Sequence, residues 1–431
     1  MKNNKNISLN LNIRGIDQSP TLAINELSRQ LQSKGQTIYR MGLGQSPFPV
    51  PVPVVETLKM HAHEKDYLPV QGLEELRKAV ARFHRQKDDV DIKANNVLIG
   101  PGSKELMFLL QLVYYGEIIL PTPCWVSYAP QAQIIGRNIK YIHTTFESKW
   151  KLTSEQLETF LADENDQYKP RLLVINYPSN PDGVTYSLQE LEKIARIARK
   201  YEMVILSDEI YGQLHHKGQH VSIARFYPEG TIISSGLSKW CGAGGWRLGT
   251  FAFPSSFDWL LESMAAVASE TYTSVSAPIQ YAAVRAFKGG IQIERYLCHV
   301  RRILSYIGQR CITMLDNAGV KVHSPDGGFY LFIDLSEFSE KMKSRGITNS
   351  KILCEKLLED TGVAILPGVS FRRPPEELTA RLAYVNFSGP KALALSETIP
   401  LDEKLPENFG DFCCYSVFQA IQKITDWLQN Q

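Results

Sequence analysis

Long apolar runs are missing from this sequence. The most apolar helix-like stretch, Leu106-Met-Phe-Leu-Leu-Gln-Leu-Val113, falls well short of the ~20 residues that cross a bilayer, and a buried helix explains it. An excess of charge is missing too. The 47 Lys and Arg stand against 45 Asp and Glu, a net +2, so no field is present to hold a polyanion and nucleic acid is not an expected partner. The opening Met1-Lys-Asn-Asn-Lys-Asn6 has no apolar core of a secretory signal. Cysteines are few and scattered (Cys124, Cys241, Cys298, Cys311, Cys354, Cys413, Cys414), which gives neither a disulfide framework nor metal spacing; reduced thiols in a cytoplasmic protein are the expectation. His215, His216 and His220 lie closer together, but no Cys or paired carboxylate completes a set near them, so a solvated loop and no metal are expected. There is no internal repeat and no low-complexity linker. With 431 residues, 44% of them hydrophobic, the chain has enough material for a large core and two or three domains.

What the sequence does contain is chemistry around one lysine. In Ser234-Ser-Gly-Leu-Ser-Lys-Trp-Cys-Gly-Ala-Gly-Gly-Trp-Arg-Leu-Gly249, Lys239 sits among small residues and Trp, where partial desolvation lowers an amine's pKa and frees it to form a Schiff base with a carbonyl. Arg247 follows a glycine-rich turn that admits close backbone approach; a cation near such a lysine points to a phosphate-bearing aldehyde. A surface loop with an ordinary solvated lysine fits this stretch alone equally well. Met203-Val-Ile-Leu-Ser-Asp-Glu-Ile-Tyr211 reads as a buried parallel strand that ends in acidic residues, where open α/β sheets place their ligands. Asp208 there is the carboxylate that a pyridinium nitrogen requires. Leu173-Val-Ile-Asn-Tyr-Pro-Ser-Asn-Pro-Asp-Gly183 is a second strand with a turn-rich exit, and its Asn180 offers an amide to a phenolic oxygen.

The order Asn-Pro-Asp-Gly, then Ser-Asp-Glu-Ile-Tyr, then Ser-Lys followed by Gly-Gly-Trp-Arg-Leu-Gly resembles the class I/II, fold-type I aminotransferases over nearly the whole chain. The resemblance implies a large domain with a mostly parallel seven-stranded sheet covered by helices, and a smaller α/β domain formed from both chain ends. Its expected divisions are an arm and part of the small domain at 1–50, the large domain at 51–305 and the small C-terminal domain at 306–431. It implies pyridoxal 5'-phosphate held by Lys239, with Asp208 on the ring nitrogen and Tyr211 and Asn180 on the phenolic oxygen. Trp125 would stack on the ring. Arg247, Ser238, and Ser103 and Lys104 at the opening of a helix after Gly100-Pro-Gly102 would meet the phosphate, the backbone amides more than the Lys104 side chain. Tyr67 would reach the phosphate of the other subunit, in a homodimer with the active site at the subunit interface. Gly44, Asn180 and Arg381 would bind the substrate, Arg381 gripping its carboxylate through two hydrogen bonds. The implied reaction moves an amino group from an α-amino acid to a 2-oxo acid. Aminocyclopropane-carboxylate synthases and carbon-sulfur lyases share these motifs and differ in the fate of the carbanion. A ligand-sensing regulator would carry a DNA-binding segment ahead of the domain, and the arm before Ser19 is too short for one.

Two features depart from the family pattern. Three residues before the lysine, where the family often has serine, stands Gly236. The Pro-rich passage from Gly389 to Gly410 reads as a loop near the active-site mouth or the dimer surface. Elsewhere the pattern predicts a helix after Ser19 with Leu22, Ile24, Leu27 and Leu31 on its apolar face. A capping box at Ser187 and Glu190 opens another helix with Leu188, Leu191, Ile194, Ala195 and Ala198 on one face, a long helix runs from Ile291 to about Asn317, and a final helix from Tyr415 to Leu428 buries Val417, Phe418, Ile421, Ile424 and Trp427.

Overall fold

Leu172-Leu-Val-Ile175 and Val204-Ile-Leu206 are apolar without alternation, the pattern of strands covered on both faces, and all of these residues are buried. They form the middle of a large sheet in the computed structural model, which describes residues 9–162 and 169–429; residues 1–8 of the expected arm lie outside these. After the two-residue strand β1 (Tyr39–Arg40), the sheet is built from β2 (Val97–Gly100), β3 (Glu117–Thr122), β4 (Ile139–His143), β5 (Arg171–Asn176), β6 (Val204–Asp208), β7 (Thr231–Gly236) and β8 (Gly249–Ala252). The seven-stranded order is β2-β8-β7-β6-β5-β3-β4. All pairings are parallel except those of β8, which runs antiparallel between β2 and β7. The expected mostly parallel α/β sheet is what the chain forms.

Register brings the chemistry to one edge. Asn176 pairs with Asp208, Asp208 with Ser234, and Gly236 with Gly249, which in turn pairs with Gly100. The carboxyl ends of β2, β5, β6 and β7 are therefore level, as ligand sites of open α/β sheets require. The departure at Gly236 has a packing cause here: a Cβ at that position would lie 2.7 Å from the Leu248 carbonyl oxygen on the adjoining β8. Serine is excluded because β7 and β8 converge there.

Helices cover both faces. Leu188–Lys200 opens with the predicted capping box, Ser187 accepting from the Glu190 amide while Glu190 accepts from the Ser187 amide, and buries Leu191, Ile194, Ala195 and Ala198, while Leu188, in its exposed first turn, is not buried. Helix Pro20–Ser33 forms with Pro at its first turn, but Ser19 makes no side-chain cap bond. Its expected apolar face is only half used: Ile24 and Leu31 pack on the core, while Leu22 and Leu27 are exposed.

The two chain ends meet through β1, which pairs in parallel with β10 (Val363–Ala364). Beside it lies a small antiparallel sheet, β11-β12-β9, of Leu366–Pro367, Thr379–Ala383 and Tyr330–Asp334. The long helix Ile291–Asn317 forms as predicted, and Arg301 Nε donates to the Gln213 carbonyl at 2.7 Å, tying it to the loop after β6. The passage read as a loop is partly helical, at Gly389–Glu397 and Phe409–Cys413. Pro390 suits a first turn, and Arg302 of the long helix holds the segment by donating to Ser396 Oγ and to the Ile399 and Pro400 carbonyls, each at 2.8 Å.

The final helix spans Tyr415–Gln429 and buries all five residues predicted for its core face. Ile421 there is fully buried, so Ile421→Ala should cost about 2–5 kcal/mol through lost transfer energy and a residual cavity. The change is read as a lowered midpoint in chemical denaturation.

Candidate active site

At the carboxyl edge of the sheet lies a cavity of about 550 Å³. It is lined by Gly44, Ser103, Lys104, Trp125, Asn180, Asp208, Tyr211, Ser238, Lys239, Arg247 and Arg381, which brings together every site residue expected from the sequence except Tyr67. Tyr67 lies elsewhere on the surface, 89% exposed.

Lys239 follows β7 and donates from Nζ to the Gly44 carbonyl at 2.8 Å. Its Nζ stands 5.6 Å from the Tyr211 ring centroid and 5.9 Å from that of Phe329. Burial, reinforced by the Arg381 charge, lowers the amine to about 8, with Asp208 acting in the opposite direction. Asp208 ends β6 and is 4% exposed. Burial raises its carboxyl to about 6, opposed first by the Tyr128 hydroxyl. That hydroxyl donates to Asp208 Oδ2 at 2.6 Å, while Ser234 Oγ and the Ile210 amide reach Oδ1 only at 3.4 Å.

Asn176, the last residue of β5, shapes the turn that carries Asn180: its Nδ2 donates to the Asp208 carbonyl at 2.7 Å and its Oδ1 accepts from the Asn180 amide at 2.7 Å. Asn180 Oδ1 in turn accepts from Arg381 Nη1 at 2.9 Å. Arg381 lies on β12 and is 1% exposed. Its guanidinium is 4.7 Å from the Tyr330 ring and 5.0 Å from the Phe371 ring, and Nη2 donates to the Gly42 carbonyl. No carboxylate among the described residues faces it; only the Tyr330 and Tyr211 hydroxyls favour its charge. Tyr330 also shares a 2.8 Å hydrogen bond with Tyr211, whose phenol burial holds protonated, well above its ordinary pKa.

The opposite side of the cavity is built for an anion. Gly102 caps helix Ser103–Val113 with φ +93°, so the amides that open this helix have no partner within it. A Cβ on Gly102 would fall 2.2 Å from Arg247 Nη2; only glycine lets the guanidinium close over this turn. Arg247 is held by donation to the Gly244 carbonyl at 3.0 Å. Lys104 Nζ lies 5.1 Å from the Trp125 ring centroid. Among the described residues, four cations, Lys104, Lys239, Arg247 and Arg381, thus share a cavity whose one carboxylate is Asp208.

Tyr128, Tyr330 and Asn176 carry the site's internal bonds and were not singled out by sequence. Tyr128 stands three residues after Trp125 in the same loop and packs edge-on against it, with ring centroids 5.3 Å apart; that spacing at a helix start was the available signal. Ser19, Thr21, Leu22, Leu43 and Gln45 line the remaining wall. No residue of 389–410 lines the cavity itself, although Gly389 packs against Pro47 and Phe48, which follow the cavity-lining Gln45. The expectation of a solvated loop around His220 is also corrected. His220, Glu209 and Asp88 bring ligand-type atoms within 4.8 Å of one another. Within the set His220 bonds Glu209 at 2.8 Å, while Asp88 is held from outside it by a 2.7 Å bond to His84.

Comparison with known proteins places this geometry. The family model described as aminotransferase class I and II matches residues 37–385. The chain is 31% identical to the aspartate aminotransferase of Bacillus sp. (strain YM-2) over 384 residues, covering 86% of this chain and 93% of that protein. It is 30% identical to the asparagine–oxo-acid transaminase of Streptococcus mutans over 387 residues, covering 86% and 92%. The structure of aspartate aminotransferase from Thermus thermophilus with maleate aligns with a TM-score of 0.82 at 25% identity, covering 97% of this chain and 98% of that one.

Reductive methylation of Lys239 in the cofactor-free protein, followed by peptide mass spectrometry, should reach half its maximal rate near pH 8. Arg381→Ala removes a repelling cation and should move that midpoint up; Asp208→Asn removes a favourable anion and should move it down.

Proposed function

The chain belongs to the class I and II aminotransferases, a family that uses pyridoxal 5'-phosphate, and from that premise we propose that it carries this cofactor on Lys239 and acts on dicarboxylic amino acids. The observation that carries the proposal is the charge of the cavity: among the described residues, Lys104, Lys239, Arg247 and Arg381 against Asp208 alone. Of these Arg381 is buried with no facing carboxylate, which is costly unless a ligand supplies the anion, while Lys104 and Arg247 stand at the exposed side.

The donor set fits the cofactor. The amides opening helix Ser103–Val113, with Ser103, Ser238 and Arg247, form the phosphate cradle. Trp125 supplies a flat face, Asp208 a carboxylate for the ring nitrogen, and Asn180 with Tyr211 the donors for the phenolic oxygen. When bound, the cofactor supplies a carbonyl that takes the amino group and a ring that accepts the electron pair left at Cα. The protein's own contribution is positional. Arg381, its charge unmatched by any facing carboxylate, grips the substrate α-carboxylate by paired donors. Lys239, lowered to about 8, takes the proton from Cα and gives it back, because its pKa lies close to working pH. Tyr211, kept protonated by burial, donates and never withdraws.

Charge bookkeeping assigns the substrate class. The phosphate uses Arg247 and the helix amides, the α-carboxylate uses Arg381, and Lys239 is engaged covalently. Lys104 remains, and a second carboxylate on the substrate is its natural partner; relatives named for aspartate support this reading. A homodimer belongs to the same proposal. Tyr67, Val52 and Met60, all exposed in the single chain, belong to the contact surface in this proposal, with the partner subunit's Tyr67 meeting the phosphate. We divide the chain functionally near residues 50 and 305, the outer parts closing over the substrate.

Mixing the purified holoenzyme with L-aspartate should convert its visible absorbance to the aminated form in one turnover, and Lys239→Ala should slow this by about 10²–10⁴-fold or more. Lys104→Ala should raise KM for aspartate about tenfold while leaving alanine and asparagine nearly unchanged, the loss of one charge-assisted bond. An equal effect on all three donors would reject the dicarboxylic assignment.

A further inference from the structure

Among the described residues Asp208 is the one anion of the cavity, and its surroundings resist its charge. It is almost fully buried, Glu209 beside it adds like charge, and desolvation is the largest influence on it. What opposes these effects within the chain is narrow. The Ser234 hydroxyl and the Ile210 amide approach Oδ1 at 3.4 Å, at the outer limit of a hydrogen bond. The Tyr128 hydroxyl meets Oδ2 at 2.6 Å, the length of a charge-assisted O–H···O⁻ bond. Lys239 and Tyr211 are the other titratable groups that sense Asp208.

Tyr128 is well placed to be a fixed donor. It is 3% exposed, it opens helix Tyr128–Ile134, and its ring packs edge-on against Trp125. A phenol facing a carboxylate in a dry site is held protonated, and burial with the Asp208 charge drives Tyr128 well above its ordinary value. One loop, Cys124 to Tyr128, therefore delivers both the flat face of Trp125 and the hydroxyl at Asp208.

We propose that Tyr128 is a positioning residue for Asp208: its hydroxyl occupies one carboxylate oxygen and keeps the group ionised and fixed, ready for the ring nitrogen of the cofactor. The inference rests on the cofactor assignment above and adds to it the group through which the carboxylate is tuned. Tyr128 does not line the active-site cavity, so it acts through Asp208 and not by contact with substrate.

The consequence has a definite sign. Burial already raises Asp208 to about 6, and loss of its short donor raises it further. The variant's carboxylate should therefore be protonated more often than the unaltered protein's near pH 6, and the two should converge as pH rises toward 9. The affinity of cofactor-free Tyr128→Phe for pyridoxal 5'-phosphate, measured by equilibrium dialysis from pH 6 to pH 9, should therefore fall behind the unaltered protein by about tenfold or more at pH 6. The gap should narrow as pH rises. In an Asp208→Asn background, adding Tyr128→Phe should cost little further affinity, since the group it serves is gone. Melting curves of each variant report folding separately. A loss that is the same at every pH, no loss at all, or full additivity with Asp208→Asn would overturn the inference. If the unaltered protein binds no cofactor, both this inference and the cofactor assignment fall. If it binds and Tyr128→Phe binds equally well, the inference alone is lost.

Discussion

A guanidinium enclosed by protein with no carboxylate facing it is the constraint on which the site depends. Charge removed from water costs several kcal/mol unless something replaces the hydration, and Arg381 is replaced only by neutral groups: the Gly42 carbonyl, the Asn180 amide oxygen and the faces of Tyr330 and Phe371. Those groups come from remote parts of the chain. The pairing of β1 with β10 brings the segment from Gly42 to Gly44 alongside, β12 in the centre of the small sheet holds the arginine backbone, and the turn after β5 contributes Asn180. The fold converges on one cation that stays incompletely compensated, which is what leaves it attractive to a ligand carboxylate.

Topology explains why the other charges gather nearby. With strands level at their carboxyl ends, each following loop starts from the same edge, so Ser103, Asn180, Asp208 and Lys239 meet although they are distant in sequence. The antiparallel β8 extends this logic, because its starting end, just after Arg247, lies at the same edge as the ends of β2 and β7. Gly236 is the mark of that convergence, with no space for a Cβ beside the Leu248 carbonyl.

How much of this was legible from sequence follows from the same physics. Residues whose chemistry is distinctive and whose position is fixed by a strand end, such as Lys239, Asp208 and Asn180, could be read directly, as could the capping box at Ser187 and the stripe of the last helix. Tyr128 and Tyr330 could not, because a tyrosine becomes informative only when its hydroxyl is seen to meet Asp208 or Tyr211. The two carboxylates around His220 were hidden for another reason: Asp88 is far away along the chain and Glu209 was read only as the neighbour of Asp208. In 389–410 the prolines pointed to a loop, yet tertiary anchoring by Arg302 outweighed local composition. Leu22 and Leu27 show the converse, a helical stripe whose outer part finds no core in the single chain.

The site's pH behaviour comes from one cause acting with opposite signs on two groups. Desolvation disfavours charge, so it raises the Asp208 carboxyl to about 6 and lowers the Lys239 amine to about 8. Between those values both are predominantly charged, and each supports the other across the cavity. At pH 7 a lysine at about 8 is neutral in roughly one molecule in ten, about 300-fold more often than one at its ordinary value, which supplies a nucleophilic amine without a dedicated base. Had burial acted alone, Asp208 would move further toward the neutral acid and its value to a pyridinium nitrogen would fall. The Tyr128 hydroxyl acts on the carboxylate only, so the acid is held back while the amine is left shifted. Selective hydrogen bonding thus separates two effects that burial by itself would impose together.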